Sequence, residues 1–259
     1  MHLRGHCRGI RQRMQGLAMD STPSDYLLER LTWYQVETYL RVDTRLALVL
    51  GATEQHGHLA LGNDTLNAVE LAKRSAIAEG VLLAPPLNYG VSTLMTAFPG
   101  TLSLSVETFA HAVQDLVRSA YRGGFRNLMF FNGNGPHFMM LPYLTELMAD
   151  LDGLICDWFE WFTEPQVVAL LEEISPRGET HANWGENWPA SRPTEYIVPP
   201  DEPWWEYRRN VFLHGPHEVR EKAPSGSFGG PQEMADTDME RVISLAVELA
   251  RARLRALHK

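Results

Sequence analysis

At 259 residues, 44% of them hydrophobic, the chain is long enough for one large α/β domain with a sizeable core. A formal charge of -9 excludes the basic face that nucleic-acid binders carry, and no run approaches the roughly 18 to 20 continuous apolar residues of a membrane span. The cysteines, Cys7 and Cys156, are too far apart for a disulfide framework or a zinc knuckle, which predicts a reducing compartment, the cytoplasm.

Residues 1–18 carry Arg4, Arg8, Arg11 and Arg13 without the apolar segment of a secretory signal. They are expected to be a disordered extension, with the natural start at Met19 and one domain over 19–259. From Tyr26 to Leu40 the apolar positions fall at helical spacing, and Thr32 is placed to cap a short helix at Trp33. The continuous run Leu46–Leu50 then reads as a buried parallel strand.

That strand ends in Gly51-Ala52-Thr53-Glu54-Gln55-His56-Gly57-His58, with Asp64 shortly after. Open α/β sheets bind ligands beyond the carboxyl ends of their strands, so carboxylates and imidazoles gathered there point to a divalent metal, zinc or manganese, able to activate water.

A helical stripe over 66–77 and a strand over 81–84 follow, and Pro85-Pro86 ends the strand. Asn88–Ser92 begins a loop that returns to the strand ends, where Ser92 is a candidate substrate contact. Phe98-Pro99-Gly100-Thr101 is a turn, and Ser105 is placed to cap a helix that runs to about Tyr121 and closes at Gly123-Gly124. Leu128–Phe131 reads as the third strand, Asn132–His137 as a second polar loop, 139–151 as a helix and 154–156 as another strand. This repetition predicts a doubly wound, mostly parallel sheet between helical layers.

Between Trp158 and Trp205 the periodicity fades and tryptophans crowd. Within this stretch, His181-Ala182-Asn183-Trp184-Gly185-Glu186-Asn187-Trp188 sets an imidazole and a carboxylate among indoles, so Trp184 and Trp188 are expected as flat walls for a ring-shaped substrate. A final amphipathic helix, with Thr237 and Glu240 as a capping box, runs through Leu254.

Leu31-Thr32-Trp33, Glu54-Gln55-His56-Gly57 with His58 and Asp64, Phe98-Pro99-Gly100-Thr101, Gly124-Phe125-Arg126, Asn132-Gly133 and His181-Ala182 occur in the order of the creatininase (creatinine amidohydrolase) family, which the chain resembles from about Leu28 to Leu254. The resemblance implies a three-layer α/β/α fold, one or two zinc or manganese ions per chain and a homohexamer. Members hydrolyse creatinine, formamide groups of nucleotide precursors, or a cyclic diketone of inositol breakdown. By the same resemblance Glu54 is a ligand of one ion and His56 of the other, Asp64 bridges them, Glu186 is a further ligand, and His181 is the acid for the leaving group.

The departures from the family pattern cluster at this site. By the resemblance, Asn134 stands where the family carries a histidine ligand, and His137 is the nearby imidazole expected to reach in as its replacement. Asn134 is therefore also a candidate substrate contact. The Glu54 to Asp64 interval is one residue short, Leu94-Met95-Thr96-Ala97 replaces an expected Glu-His pair, and Trp184 takes an acidic position. The reading is a metal-dependent hydrolase of a small cyclic amide, or of a related amide or formamide C–N bond, other than creatinine. The alternatives are cleavage of a C–C bond of a cyclic diketone, or ligand binding without turnover.

Overall fold

Every residue of β1 (Arg45–Leu50) is buried, as a strand covered on both faces requires. In the computed structural model, which describes residues 25–207 and 210–257, β1 lies between β2 (Leu82–Leu83) and β3 (Asn127–Asn132). With β4 (Ile155–Phe159) the sheet order is β2-β1-β3-β4, and all pairings are parallel. The expectations for residues 1–18, and Cys7, lie outside the described residues.

Seven α-helices surround the sheet among the described residues: α1 (Trp33–Tyr39), α2 (Asn63–Ala78), α3 (Val106–Gly123), α4 (Leu141–Asp150), α5 (Pro165–Ile174), α6 (Pro216–Lys222) and α7 (Asp236–Ala256). Successive strand residues point to opposite faces, so Ala47, Val49, Met129 and Phe131 pack against α2, α5 and α7. Leu46, Leu48, Leu50, Leu128 and Phe130 pack against α1, α3 and α4. The three-layer α/β/α expectation therefore holds. None of the described helices is long and apolar enough to cross a membrane.

Local chemistry explains most boundaries. The Thr32 N–H donates to Gln35 Oε1 at 2.8 Å and starts α1 at Trp33, as expected, while the helical spacing before it forms only a 3-10 turn, Leu28–Arg30. Ser105 Oγ accepts from the Thr108 N–H at 3.1 Å at the start of α3, and Gly124, at φ 114, closes that helix in the left-handed region. The capping box at Thr237 is not formed: α7 begins at Asp236, so Thr237 lies in its first turn and Glu240 pairs with Arg74 at 2.7 Å. Helices α5 and α6 were not expected, because both are short and are entered through a proline.

Two features place the site. Leu50 and Asn132 are register partners, so β1 and β3 end side by side and release the Gly51–Gly62 and Gly133–Met140 segments at one edge. Helix α2 starts earlier than its apolar stripe indicated, and this puts Asp64 in its first turn, where a carboxylate is favoured by the helix dipole.

Candidate metal centre

The loop after β1 is held from outside. The Gln55 N–H donates to Thr101 Oγ1 at 3.0 Å, Thr53 forms a bridge with Leu102, and the Glu54 N–H donates to the Leu61 carbonyl at 2.8 Å. The Phe98–Thr101 turn thus braces the loop, and Gly57 turns it at φ 56.

His56 is 1% exposed and its Nδ1 lies 3.1 Å from the Glu54 carbonyl, a partner that can only accept, so the ring proton sits on Nδ1. Its Nε2 lies 2.8 Å from Asp64 Oδ1 and 3.6 Å from Glu186 Oε2 without an aligned hydrogen bond; protonated it forms an ion pair with them, and deprotonated it turns a lone pair between them. An imidazole nitrogen buried between two carboxylates, whose proton a divalent cation would displace, is the donor set of such a cation. His56, Asp64 and Glu186 offer three ligand atoms within 4.8 Å of one another.

The electrostatics agree. Burial, reinforced by the Asp64 charge, raises the Glu54 carboxyl, and burial raises that of Glu186 in the same way. At His56, burial opposes protonation, but Asp64, Glu186 and Glu54 outweigh it and raise the imidazole well above its ordinary value. Without a cation the cluster holds protons to limit its buried negative charge; a divalent ion would displace them.

His181 sits against this group, with its ring centroid 4.6 Å from that of His56. Gln55 determines its tautomer. Gln55 Oε1 accepts from the Gly57 N–H at 3.0 Å, and Nε2 donates to the Gly226 carbonyl at 3.1 Å, so Nε2 also faces His181 Nε2 as a donor, at 2.8 Å. His181 Nε2 must accept, and its proton sits on Nδ1, 3.7 Å from Glu54 Oε1. Burial, then the nearby His56 charge, keeps His181 well below its ordinary pKa and hence neutral. Ala182, at φ 57, turns the chain so that its N–H donates to Glu186 Oε2 at 2.6 Å.

Asn134 lies between the carboxylates. Its Nδ2 donates to Glu54 Oε2 at 3.2 Å and to Asp64 Oδ2 at 3.0 Å, with Ser92 Oγ at 3.4 Å. A cavity of about 180 Å³ opens above these groups, with Glu54, Asp64, Asn134, His181 and Glu186 on its polar side and Met95, Phe162, Phe212 and Phe228 on its apolar side.

Four expectations are corrected. His137 is not a metal ligand: it is fully buried, its Nδ1 lies 2.7 Å from Asn132 Oδ1, and its ring stacks on Phe109 at 4.1 Å, so it clips the loop after β3. Burial pushes it down to about 3 and keeps it neutral. Trp184 and Trp188 are not cavity walls but core residues without exposure, donating from Nε1 to the Gly178 and Gly185 carbonyls. Ser92 does not line the cavity; it is buried beneath Asn134 and Glu54. His58 turns away toward Tyr196, with ring centroids 5.8 Å apart.

Two residues were missed. Gln55 belongs to the motif, yet its orienting role depends on Gly226, far along the chain. Glu179 lines the cavity, its carboxyl raised by burial and then by the Glu186 charge, and it stands two residues before His181 in a segment without periodicity.

Comparison with known proteins agrees with this architecture. The family model for creatininase (creatinine amidohydrolase) matches residues 29–254. The creatinine amidohydrolase of Pseudomonas putida is 31% identical over 164 residues, which cover 57% of this chain and 62% of that protein. The mycofactocin precursor peptide peptidase of Mycobacterium ulcerans is 37% identical over 100 residues, 35% of this chain and 40% of that protein. The matches thus span less than two thirds of these curated relatives. Among solved structures, a creatinine amidohydrolase (creatininase) superposes with a TM-score of 0.77 at 22% identity, covering 92% of this chain and all of that one, which shows a shared fold. Two further creatininase structures of this fold are described as a Zn–Zn type and as Mn. With the family model matched over nearly its whole described length, the chain belongs to the creatininase family.

Proposed function

We propose that this chain is a metal-dependent hydrolase of an amide C–N bond in a small molecule or the end of a short peptide, with creatinine itself disfavoured by the rebuilt pocket. The observation that carries the reading is His56 Nε2, buried and without an aligned hydrogen bond between Asp64 and Glu186. These three residues would hold a zinc or manganese ion. When bound, the ion would supply Lewis acidity for the carbonyl and for the attacking water.

The chain's own groups account for the remaining requirements. His181, neutral and with its proton on Nδ1 at the cavity edge, is kept by Gln55 as a hydrogen-bond donor to the oxyanion that develops on the substrate carbonyl. Amide hydrolysis also needs a proton delivered to the departing nitrogen, and the Glu54 carboxyl, raised to about 8 by burial and 3.7 Å from His181 Nδ1, is placed to carry it. Asn134 holds Glu54 and Asp64 apart from each other and in fixed orientation. Met95, Phe162, Phe212 and Phe228 limit water around the scissile bond, which strengthens each of these charge interactions.

The peptide option is supported by likeness to a protein named as a precursor peptide peptidase, and the small-molecule option by likeness to a creatinine amidohydrolase. The test is metal analysis of the purified protein together with Asp64→Ala, scored for released amine on a panel of cyclic amides, formamides and short peptides. At least one zinc or manganese per chain, lost along with all turnover in the variant, is expected. A wild-type protein that binds no divalent ion after supplementation would refute the reading.

A further inference from the structure

The two-ion arrangement that the resemblance implies would use Glu54 and Asp64 together for one cation, and in this chain the Asn134 side chain lies between those carboxylates. We infer that the chain binds a single ion, at His56, Asp64 and Glu186, and that the side-chain amide of Asn134 takes the place of the second. The inference rests on the metal-dependent reading above.

The two oxygens of Asp64 face different partners: Oδ1 lies 2.8 Å from His56 Nε2, and Oδ2 accepts from Asn134 Nδ2 at 3.0 Å. The same Nδ2 reaches Glu54 Oε2 at 3.2 Å. The amide therefore presents its positive end to the two carboxylates that a second cation would bridge. Rotating the amide by half a turn would bring three oxygens together, which needs a proton or a cation among them, and an amide oxygen is a weak ligand for zinc beside imidazole.

No imidazole completes that half from elsewhere. His181 Nδ1 is 3.7 Å from Glu54 Oε1 and could complete a group with Glu54 and His56, but Gln55 requires the proton to be on that nitrogen, so it has no lone pair to give. His137 is held against Asn132 and Phe109. By contrast, the His56, Asp64 and Glu186 half aims an imidazole nitrogen between two carboxylates, where an ion would have only a proton to displace.

The experiment loads the full chain with Mn(II), removes excess by gel filtration, and reads metal per chain by mass spectrometry and ion–ion coupling by electron paramagnetic resonance. One Mn(II) per chain with an uncoupled six-line spectrum is expected. Asn134→His, and the near-isosteric Asn134→Asp should the histidine fail to fold, are expected to raise the content from one to two and produce a coupled spectrum. Two coupled ions in the wild type would overturn the inference and leave the hydrolase reading standing, whereas no bound ion would overturn both. A wild type with one ion and folded Asn134 variants that also stay at one would show that Asn134 does not occupy the second position.

Discussion

Gly133 separates the two asparagines of the loop after β3, and the space above it is already filled. A Cβ there would lie 2.1 Å from the Asp64 carbonyl oxygen, 2.9 Å from its carbonyl carbon and 3.2 Å from Ala68 Cβ. The obstacle is backbone at the start of α2 and cannot rotate away. Gly133 is also not among the positive-φ glycines, so alanine suits its backbone and the substitution isolates the contact. Reaching ordinary van der Waals separation requires α2 and the loop to part by roughly 1 Å. Overpacking of this kind costs about 1–3 kcal/mol, which for a chain of this size lowers Tm by about 2–12 °C. Because the displaced turn carries Asp64, Gly133→Ala is expected to weaken divalent-ion binding as well, and a misplacement of about 1 Å reduces turnover by about 100-fold. Gly135→Ala is the control, since its Cβ would meet nothing within 4 Å. The assay is thermal unfolding by circular dichroism with and without Mn(II), alongside competition for the ion with a chromophoric chelator. A Gly133→Ala protein with Tm within 1 °C of the wild type and unchanged ion affinity would refute the packing argument.

Ion removal should be felt more strongly as pH rises. The folded apo-protein keeps the Glu54 proton up to about 8, while the unfolded chain releases it near 4.5, so apo stability falls across that interval; the gap in Tm between chelated and Mn(II)-loaded protein is expected to widen from pH 5 to 8, and a constant gap would contradict the buried carboxylate cluster. His137 acts in the opposite sense: it stays neutral in the fold to about 3, so the unfolded chain alone takes up its proton below about 6.5, and stability attributable to it is lost as pH falls, by at most about 1.4 kcal/mol per pH unit. Urea midpoints between pH 4 and 7 for wild type and His137→Gln should differ in slope accordingly, and parallel slopes would exclude this. Trp184→Ala should cost about 3–5 kcal/mol as a core truncation, visible as a lower urea midpoint; an altered KM with unchanged stability would instead restore it to the pocket. Gln55→Leu should free His181 Nε2 and shift the ring to a mixture of tautomers, read from its imidazole nitrogen chemical shifts, and unchanged shifts would disprove the orienting role.

Much of the layer architecture was legible because it follows from periodicity. The continuous apolar run to Leu50 and the helical stripe of α3 give their burial directly, and caps such as Thr32 and Ser105 act within a few residues of themselves. The short helices α5 and α6 were illegible for the converse reason: each is too brief to establish a period and is entered through a proline. At the site, Glu54, His56 and Asp64 were readable because one loop and one helix turn carry all three.

What the sequence determined by itself is therefore the parallel α/β/α scaffold, the motif at the end of β1, and the fact that Asn134 stands where an imidazole ligand was expected. Tertiary structure alone decided the roles of groups whose partners are remote in the chain. Gln55 orients His181 only because Gly226 accepts from the same amide, and Asn134 becomes a donor only because Glu54 and Asp64 converge on it from different segments. Trp184 and His137 illustrate the same dependence in reverse: an indole in a polar stretch and an imidazole in a polar loop look available for chemistry, yet the packing around them uses both as core. A side chain's type limits what it can donate or accept, whereas its protonation and accessibility are set by neighbours that only the folded chain brings within reach.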